Sequence, residues 1–287
     1  MLSERAHYHK GRGKRMNRTF KSIEVEIPAR GTTFPATIVL PDADALCPMV
    51  AIAHGFAGTR QEGGAYPELA EALAQRGIAS IRCDFPGCGD SKESFRLNTL
   101  SVMAWDVRSS ISYALENYNM DPLRIGLLGT SLGGRVAMEV FNAGRPQIAA
   151  MTLIAPGADT ATMMAIVGDE STCKNAYDTA LRDGFVAIPR YYGGDDLELT
   201  PAWFTDLQSM DTIGNAKIAD VPVQIIYAED DTIVNPRVSK LCAEKYGAQL
   251  VEISGDGHLF GFYSERKDIR ARVIESAAAF FSNSFGA

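Results

Sequence analysis

Residues 124–141 read RIGLLGTSLGGRVAMEVF. RIGLL is a short apolar run of strand type, and Val136, Val140 and Phe141 recur at helical spacing. Between them stands Gly129-Thr130-Ser131-Leu132-Gly133. A serine set between two glycines, entered from a strand and left by a helix, is the context in which G-x-S-x-G marks a nucleophile elbow. Such a turn is sharp and strained, and a side chain two residues to either side would strike the neighbouring strand or helix. The helix N-terminus behind the serine favours negative charge developing in front of it. Ser131 is therefore the expected nucleophile.

A serine hydroxyl attacks only when a base takes its proton, so a histidine is required. The chain has four. His7 and His9 stand in a basic N-terminal stretch, and His54 directly follows the apolar run Met49 to Ala53. His258, in Gly255-Asp256-Gly257-His258 after the run QLVEIS, is the one downstream of the elbow and is the expected base. The acid that orients it should follow an earlier strand, in the order serine, acid, histidine. The run VPVQIIYA leads into Glu229-Asp230-Asp231, where three carboxylates compete. Asp231 is favoured because the loop must first clear the strand; Asp230 and Glu229 stay open as alternatives. His54-Gly55-Phe56-Ala57-Gly58 lies where this fold draws one of its oxyanion donors, which points to the backbone N–H groups of Phe56 and Leu132. His54 is expected to hold that loop rather than to react.

Two β-rich runs, Thr19 to Ile27 and Thr33 to Leu40, predict an antiparallel hairpin turning near Pro28 and Gly31. Short buried runs then alternate with amphipathic helices: Met49 to Ala53, Ile78 to Cys83, Arg124 to Leu128, Ile148 to Ile154, Val221 to Tyr227 and Gln249 to Ile253. Leu69 and Leu73 mark a helix stopping at Gly77, Leu100 to Tyr118 a longer one, and Ser264 to Phe281 the last. This alternation predicts an α/β fold, a mainly parallel twisted sheet with helices on both faces. About sixty residues between Pro156 and Asp220 exceed any ordinary βα connection. They predict a small helical cap, about residues 157–218, over the C-terminal edge of the sheet, with Phe185, Tyr191, Tyr192, Trp203 and Phe204 as its aromatics.

At 287 residues the chain suits one large domain, here residues 19–287, with an insertion. A net charge of -7 gives no general attraction for phosphates, so no nucleic-acid partner is expected. Arg5, Lys10, Arg12, Lys14, Arg15 and Arg18 crowd residues 1–18, which read as a flexible solvated tail or as a start site placed upstream of Met16. That stretch lacks a secretory apolar core, and no run approaches the ~18 apolar residues of a membrane span, so a soluble cytoplasmic protein is expected. Five cysteines without a C-x-x-C pair read as reduced thiols, neither a disulfide framework nor a zinc site, and no cofactor or metal is expected.

The pieces AHGFAG, YPELAEALAQRGIASIRCDFPGCGDS, IGLLGTSLGG, AEDDTIVNP and GDGHLFG together resemble the α/β-hydrolase superfamily, and within it are most similar to bacterial cinnamoyl or feruloyl esterases. The superfamily likeness covers nearly the whole chain after Met16; the esterase likeness is narrower. It implies Ser131, Asp231 and His258 as a triad and Phe56 and Leu132 as oxyanion donors. Thr232-Ile233-Val234 matches the family's acid loop, in which the aspartate precedes a short apolar pair. The cap departs from the pattern, with no aligned counterpart for the residues that grip a phenolic hydroxyl. The implied activity is hydrolysis of a small-molecule carboxylic ester through an acyl-enzyme, with hydroxycinnamoyl esters as the narrower expectation. A thioesterase, lipase, perhydrolase or carbon–carbon hydrolase would share the same triad. An aspartate at the elbow would have meant dehalogenase or epoxide hydrolase chemistry. A non-catalytic binding module of this fold would tend to lose a triad member, whereas every position here is filled.

Overall fold

The structure, a computed structural model, describes residues 5–9, 19–42, 45–190 and 193–287. Within the stretch read as a tail, β1 (Arg5–His9) pairs antiparallel with β2 (Phe20–Ala29); the rest of residues 1–18 lies outside the described residues. β2 pairs antiparallel with β3 (Thr32–Pro41), as the hairpin reading expected. The turn is tighter than expected. Pro28 stays in the ladder opposite Thr33, and the chain reverses at Arg30 and Gly31, whose φ angles of 52° and 79° suit a two-residue hairpin turn.

Eight further strands follow: β4 (Cys47–Ala53), β5 (Ala79–Cys83), β6 (Met120–Thr130), β7 (Ala150–Ile154), then β8 (Val186–Ile188) and β9 (Leu197–Leu199), and finally β10 (Val223–Tyr227) with β11 (Gln249–Glu252) after it. The main sheet has the order β1-β2-β3-β5-β4-β6-β7-β10-β11. Its first four strands pair antiparallel, and β5, β4, β6, β7, β10 and β11 pair parallel in that order. Every residue of β4, β5, β7 and β10 is buried, which is why these strands read as unbroken apolar runs rather than alternating ones.

The two faces of the sheet are covered by different helices. α1 (Ala65–Ala74) and α8 (Lys267–Phe285) pack on one; α2 (Leu100–Asn117) and α3 (Leu132–Asn142) lie on the other with α7 (Pro236–Tyr246). β4 shows the period of two: Met49, Ala51 and Ala53 join the core beneath α2 and α3, while Val50 and Ile52 join the one beneath α1 and α8. α8 starts three residues later than the sequence suggested and runs on to Phe285, where Gly286 at φ 64° ends it.

The long interval between β7 and β10 holds α4 (Thr160–Ala165), α5 (Glu170–Asp183), the antiparallel pair β8-β9, and α6 (Pro201–Ser209). Three helices thus lie in the interval read as a helical cap. The hairpin was not anticipated, because strands of three residues are too short to show alternation. Among the described residues no helix is long and apolar enough to cross a membrane.

Candidate active site

The parallel strands β4, β6, β7 and β10 deliver their C-terminal ends to one edge, where α/β folds place their sites. Ser131 stands there, between β6 and α3, at φ 55° and ψ -120°. A non-glycine residue in that region is strained and persists only where its surroundings fix it. Four backbone bonds do so. The Ser131 N–H donates to Ile154 O at 2.9 Å, and Ser131 O accepts from Gly134, Arg135 and Gly157 at 3.0, 3.3 and 2.8 Å. The flanking glycines have steric reasons. A Cβ on Gly129 would come within 2.1 Å of Gly133 O, and one on Gly133 within 2.2 Å of Ala53 O. The Tyr66 hydroxyl, donating to Ala53 O at 2.8 Å and lying 3.0 Å from Thr130 Oγ1, ties the ends of β4 and β6 together.

His258 lies in a short 3-10 turn, Gly257–Leu259, after β11. Its Nδ1 is 2.7 Å from Asp231 Oδ2, and the Asp231 side chain is 1% exposed against 16% for His258. Asp231 Oδ1 accepts the N–H groups of Ile233 and Val234 at 2.8 and 2.9 Å. With Nδ1–H directed at the carboxylate, Nε2 carries the lone pair that a base needs. The other two carboxylates have different partners. Glu229 is bound by Lys240 and by the Tyr227 hydroxyl. Asp230 accepts from Gly255 N at 3.0 Å and Gly257 N at 3.1 Å, bonds that hold its pKa below the usual carboxylate range and fasten the histidine loop to the acid loop. Asp231 and His258 are thus brought into contact. Among the described residues no hydrogen bond joins the Ser131 hydroxyl to either, although all three residues stand at the same edge.

The loop after β4 lies against the elbow: a Cβ on Gly55 would sit 3.6 Å from Ser131 Cβ. His54 is buried, with Nδ1 2.8 Å from Gly55 O and Nε2 accepting the Phe85 N–H at 3.1 Å. Both ring nitrogens are engaged, and burial pushes the imidazole pKa down, which is the behaviour of a loop-holding residue. The N–H groups of Phe56 and Leu132 have no acceptor among the described residues, as two donors reserved for a ligand oxygen would require. Arg60 closes the neighbouring loop, donating from its backbone to Asp84 at 2.6 Å and from its guanidinium to Asp84 and Asp90.

The insertion bears on the same edge. Arg190 donates to Ala57 O at 3.2 Å and Gly87 O at 3.0 Å. Trp203 meets the Phe56 ring edge-on at 6.1 Å. Arg135, one turn into α3 and 1% exposed, donates to Leu207 O, Met210 O and Thr212 Oγ1 at 2.9, 2.8 and 3.0 Å. Of the aromatics expected in the cap, Trp203 and Phe204 are buried in its core and Phe185 lies 3.9 Å beneath the Arg96 guanidinium; Tyr191 and Tyr192 lie outside the described residues. Tyr66, Arg135 and Arg190 were not singled out from sequence. Arg135, set with Glu139 four residues on in the otherwise apolar run LGGRVAMEVF, was the one available signal.

Among the described residues no group of three or more His, Cys, Asp or Glu side chains is arranged to hold a metal ion.

Residues 50–272 match the family described as Alpha/beta hydrolase family. An uncharacterised 31.7 kDa protein of the traX-finO intergenic region of Escherichia coli is 34% identical over 98 residues, so the match spans 34% of this chain and 34% of that relative. The quorum-quenching protein AidA of Acinetobacter baumannii (strain MDR-ZJ06) is 29% identical over 124 residues, 42% of this chain and 40% of AidA. Among solved structures, Est1E from Butyrivibrio proteoclasticus with ferulic acid bound superposes with a TM-score of 0.76 at 22% identity, covering 92% of this chain and 100% of Est1E. The carboxylesterase EstE1, cloned from a metagenomic library, gives a TM-score of 0.66 at 18% identity, with coverage of 92% and 88%. At these identities the superpositions establish the fold.

Proposed function

Because the chain belongs to the alpha/beta hydrolase family, we propose that it is a serine hydrolase acting on small-molecule carboxylic esters, with Ser131 as nucleophile, His258 as base and Asp231 as orienting acid. The observation that carries this reading is the 2.7 Å bond between Asp231 and His258 at the sheet edge where the strained Ser131 also stands.

The reaction follows from those groups. His258 Nε2 takes the Ser131 proton as Oγ attacks the ester carbonyl, and Asp231 steadies the imidazolium. The carbonyl oxygen becomes negative and receives the N–H groups of Phe56 and Leu132. His258 then gives its proton to the leaving alkoxide, so alcohol departs and an acyl-serine remains. Water, deprotonated by the same imidazole, releases the acid and restores Ser131.

The alternatives with a serine triad differ in pocket rather than in chemistry. Esters are favoured here by the carboxylesterase and ferulic-acid-bound structures among the fold neighbours. Hydroxycinnamoyl esters are the narrower proposal, supported by the aromatic edges of Phe56, Phe95 and Trp203 gathered around the proposed oxyanion loop. A reducing, cytoplasmic compartment suits five cysteines that are all buried and unpaired.

Labelling with a fluorophosphonate tests the reading directly. The expected result is a single adduct mapped to Ser131 and absent from Ser131→Ala. A native protein that takes no adduct and hydrolyses no ester would be a binding module on a hydrolase fold.

A further inference from the structure

Glu62 is a carboxyl group that the reaction above does not use. It follows the loop His54 to Gly58, is 4% exposed, and holds φ 41°, a left-handed angle that a glutamate does not adopt freely. Its Oε2 accepts the Gly55 N–H at 3.3 Å. The spot where a Gly55 Cβ would stand is 3.2 Å from Glu62 Oε1 and 3.6 Å from Ser131 Cβ, so the carboxyl and the nucleophile flank the same glycine. A Cβ on Gly58 would lie 2.8 Å from Glu62 Oε2 and 3.4 Å from His54 Nδ1, so the carboxyl also fills the inside of the loop's far end.

The groups that face Glu62 leave it without a counter-charge. From α1 comes the Tyr66 ring, from the segment before α8 the Tyr263 hydroxyl, which hydrogen-bonds to it, and from the loop after β4 the neutral His54; Cys88 stands further off in the loop after β5. Arg270 of α8 is the nearby cation, and its guanidinium is spent on Gly63 O, Gly261 O, Phe262 O and Glu68. No salt bridge to Glu62 exists among the described residues.

Resting on the reading of Ser131 as nucleophile and of Phe56 N–H as oxyanion donor, we propose that Glu62 is a positioning residue of the oxyanion loop that works as the neutral acid. It shapes the loop through Gly55 and Gly58 without adding negative charge beside the oxygen that must become negative. Its ionisation shuts the site down. The direction follows from burial, which pushes the carboxyl up to about 8 against the opposing bonds from Gly55 and Tyr263. Below that pH the group is neutral and the oxyanion develops against N–H dipoles alone. Above it, a buried carboxylate opposes the same charge, and turnover falls.

The test is the pH profile of kcat on a 4-nitrophenyl ester, with fluorophosphonate labelling measured alongside. The native protein should lose turnover as pH rises through about 8. Glu62→Ala should lower kcat by roughly a hundredfold with little change in KM, the pattern of an interaction felt in the transition state. Glu62→Gln, which keeps the shape and the acceptor for Gly55 but cannot ionise, should recover most of that loss and abolish the alkaline fall. Tyr263→Phe, at a position 42% exposed, removes a donor that favours the ionised form and should move the fall to higher pH; it stands in if Glu62→Gln fails to fold. An alkaline fall unchanged in Glu62→Gln, or in Tyr263→Phe where Glu62→Gln does not fold, overturns the role of Glu62 while labelling of Ser131 leaves the hydrolase reading intact. A native protein that resists labelling overturns both.

Discussion

Asp231 Oδ2 and His258 Nδ1 lie 2.7 Å apart, while the other oxygen of Asp231 receives two backbone N–H groups from its own loop. The carboxylate is therefore fixed before it meets the imidazole, and the imidazole inherits both its orientation and its tautomer from it. Asp230, next in the chain, binds the backbone of the histidine loop instead. One aspartate holds the ring and the other holds the loop that carries it.

These two roles predict different kinetics. Asp231→Asn should lower kcat by about 10³ to 10⁴, because the amide can present N–H to Nδ1 and leave the proton on Nε2. Asp230→Asn keeps an oxygen for Gly255 and Gly257 and should lower it by about tenfold or less. Steady-state turnover of one aryl ester by both variants is the measurement, and the reverse ranking would transfer the orienting role to Asp230.

Gly133→Ala should be destabilising as well as inactivating. The new Cβ would stand 2.2 Å from Ala53 O and 2.5 Å from His54 O, both backbone atoms at the end of β4 where the proposed oxyanion loop begins. Relief requires moving that strand end, at about 1–3 kcal/mol for an overpacked core. Denaturant unfolding should show the loss of stability, and kcat should fall more than KM rises. A variant with native turnover would mean that the elbow tolerates the displacement.

The elbow was legible because its residues and the strand and helix around them are contiguous in the chain. Gly129, Ser131 and Gly133 are two residues apart; the clash that a Cβ on Gly129 would meet arises within the turn, while that at Gly133 comes from Ala53 O at the end of the neighbouring β4. His258 is expected as base by elimination and Asp231 as acid by chain order and loop length, and the fold brings the two into contact across 27 residues. The proposed role of Glu62 has no such local signal. In sequence it belongs to a polar turn, QEGG, and the Tyr263 hydroxyl that hydrogen-bonds to it stands two hundred positions away. Arg190 escaped for a similar reason, since the carbonyls it reaches, Ala57 O and Gly87 O, belong to loops distant in the chain. Main-chain acceptors leave no trace in residue types. The sheet order was readable in kind, because buried strands announce themselves; the three-residue strands of the insertion carry too few positions for any period to register.

Arg135→Ala should loosen the insertion. The guanidinium spans from α3 to the carbonyls of Leu207 and Met210 at the end of α6, and burial pushes its pKa down, so it stays there on the strength of those acceptors. Truncation leaves buried carbonyls without that donor, about 1–3 kcal/mol. The expected outcome is a lower Tm and faster proteolytic cutting within residues 157–218. An unchanged Tm would show that the insertion is held by its apolar contacts alone.

The acyl group is the prediction with most at stake for substrate choice. A planar hydroxycinnamoyl group gains from aromatic edges and loses nothing from a rigid pocket, whereas a flexible triglyceride chain needs a long apolar channel. Around the proposed oxyanion loop the aromatic edges are present: Phe56 meets Phe95 edge-on at 5.8 Å and Trp203 at 6.1 Å. Trp203 and Phe204 are nonetheless buried, and Phe204 packs against Tyr177 at 5.5 Å, so much of the cap's aromatic surface is occupied in holding the cap together. Phe56 is then the ring best placed to meet an acyl group. Methyl ferulate should be turned over at a kcat/KM comparable with or above that of a butyrate ester, and long-chain triglycerides should be poor substrates. Phe56→Leu should reduce the ferulate value by about three- to tenfold while sparing butyrate, since an edge contact of this kind is worth about 0.5–1.5 kcal/mol. Rapid butyrate hydrolysis with no cleavage of any hydroxycinnamate would leave a short-chain carboxylesterase, with Phe56 serving only to pack the loop against the insertion.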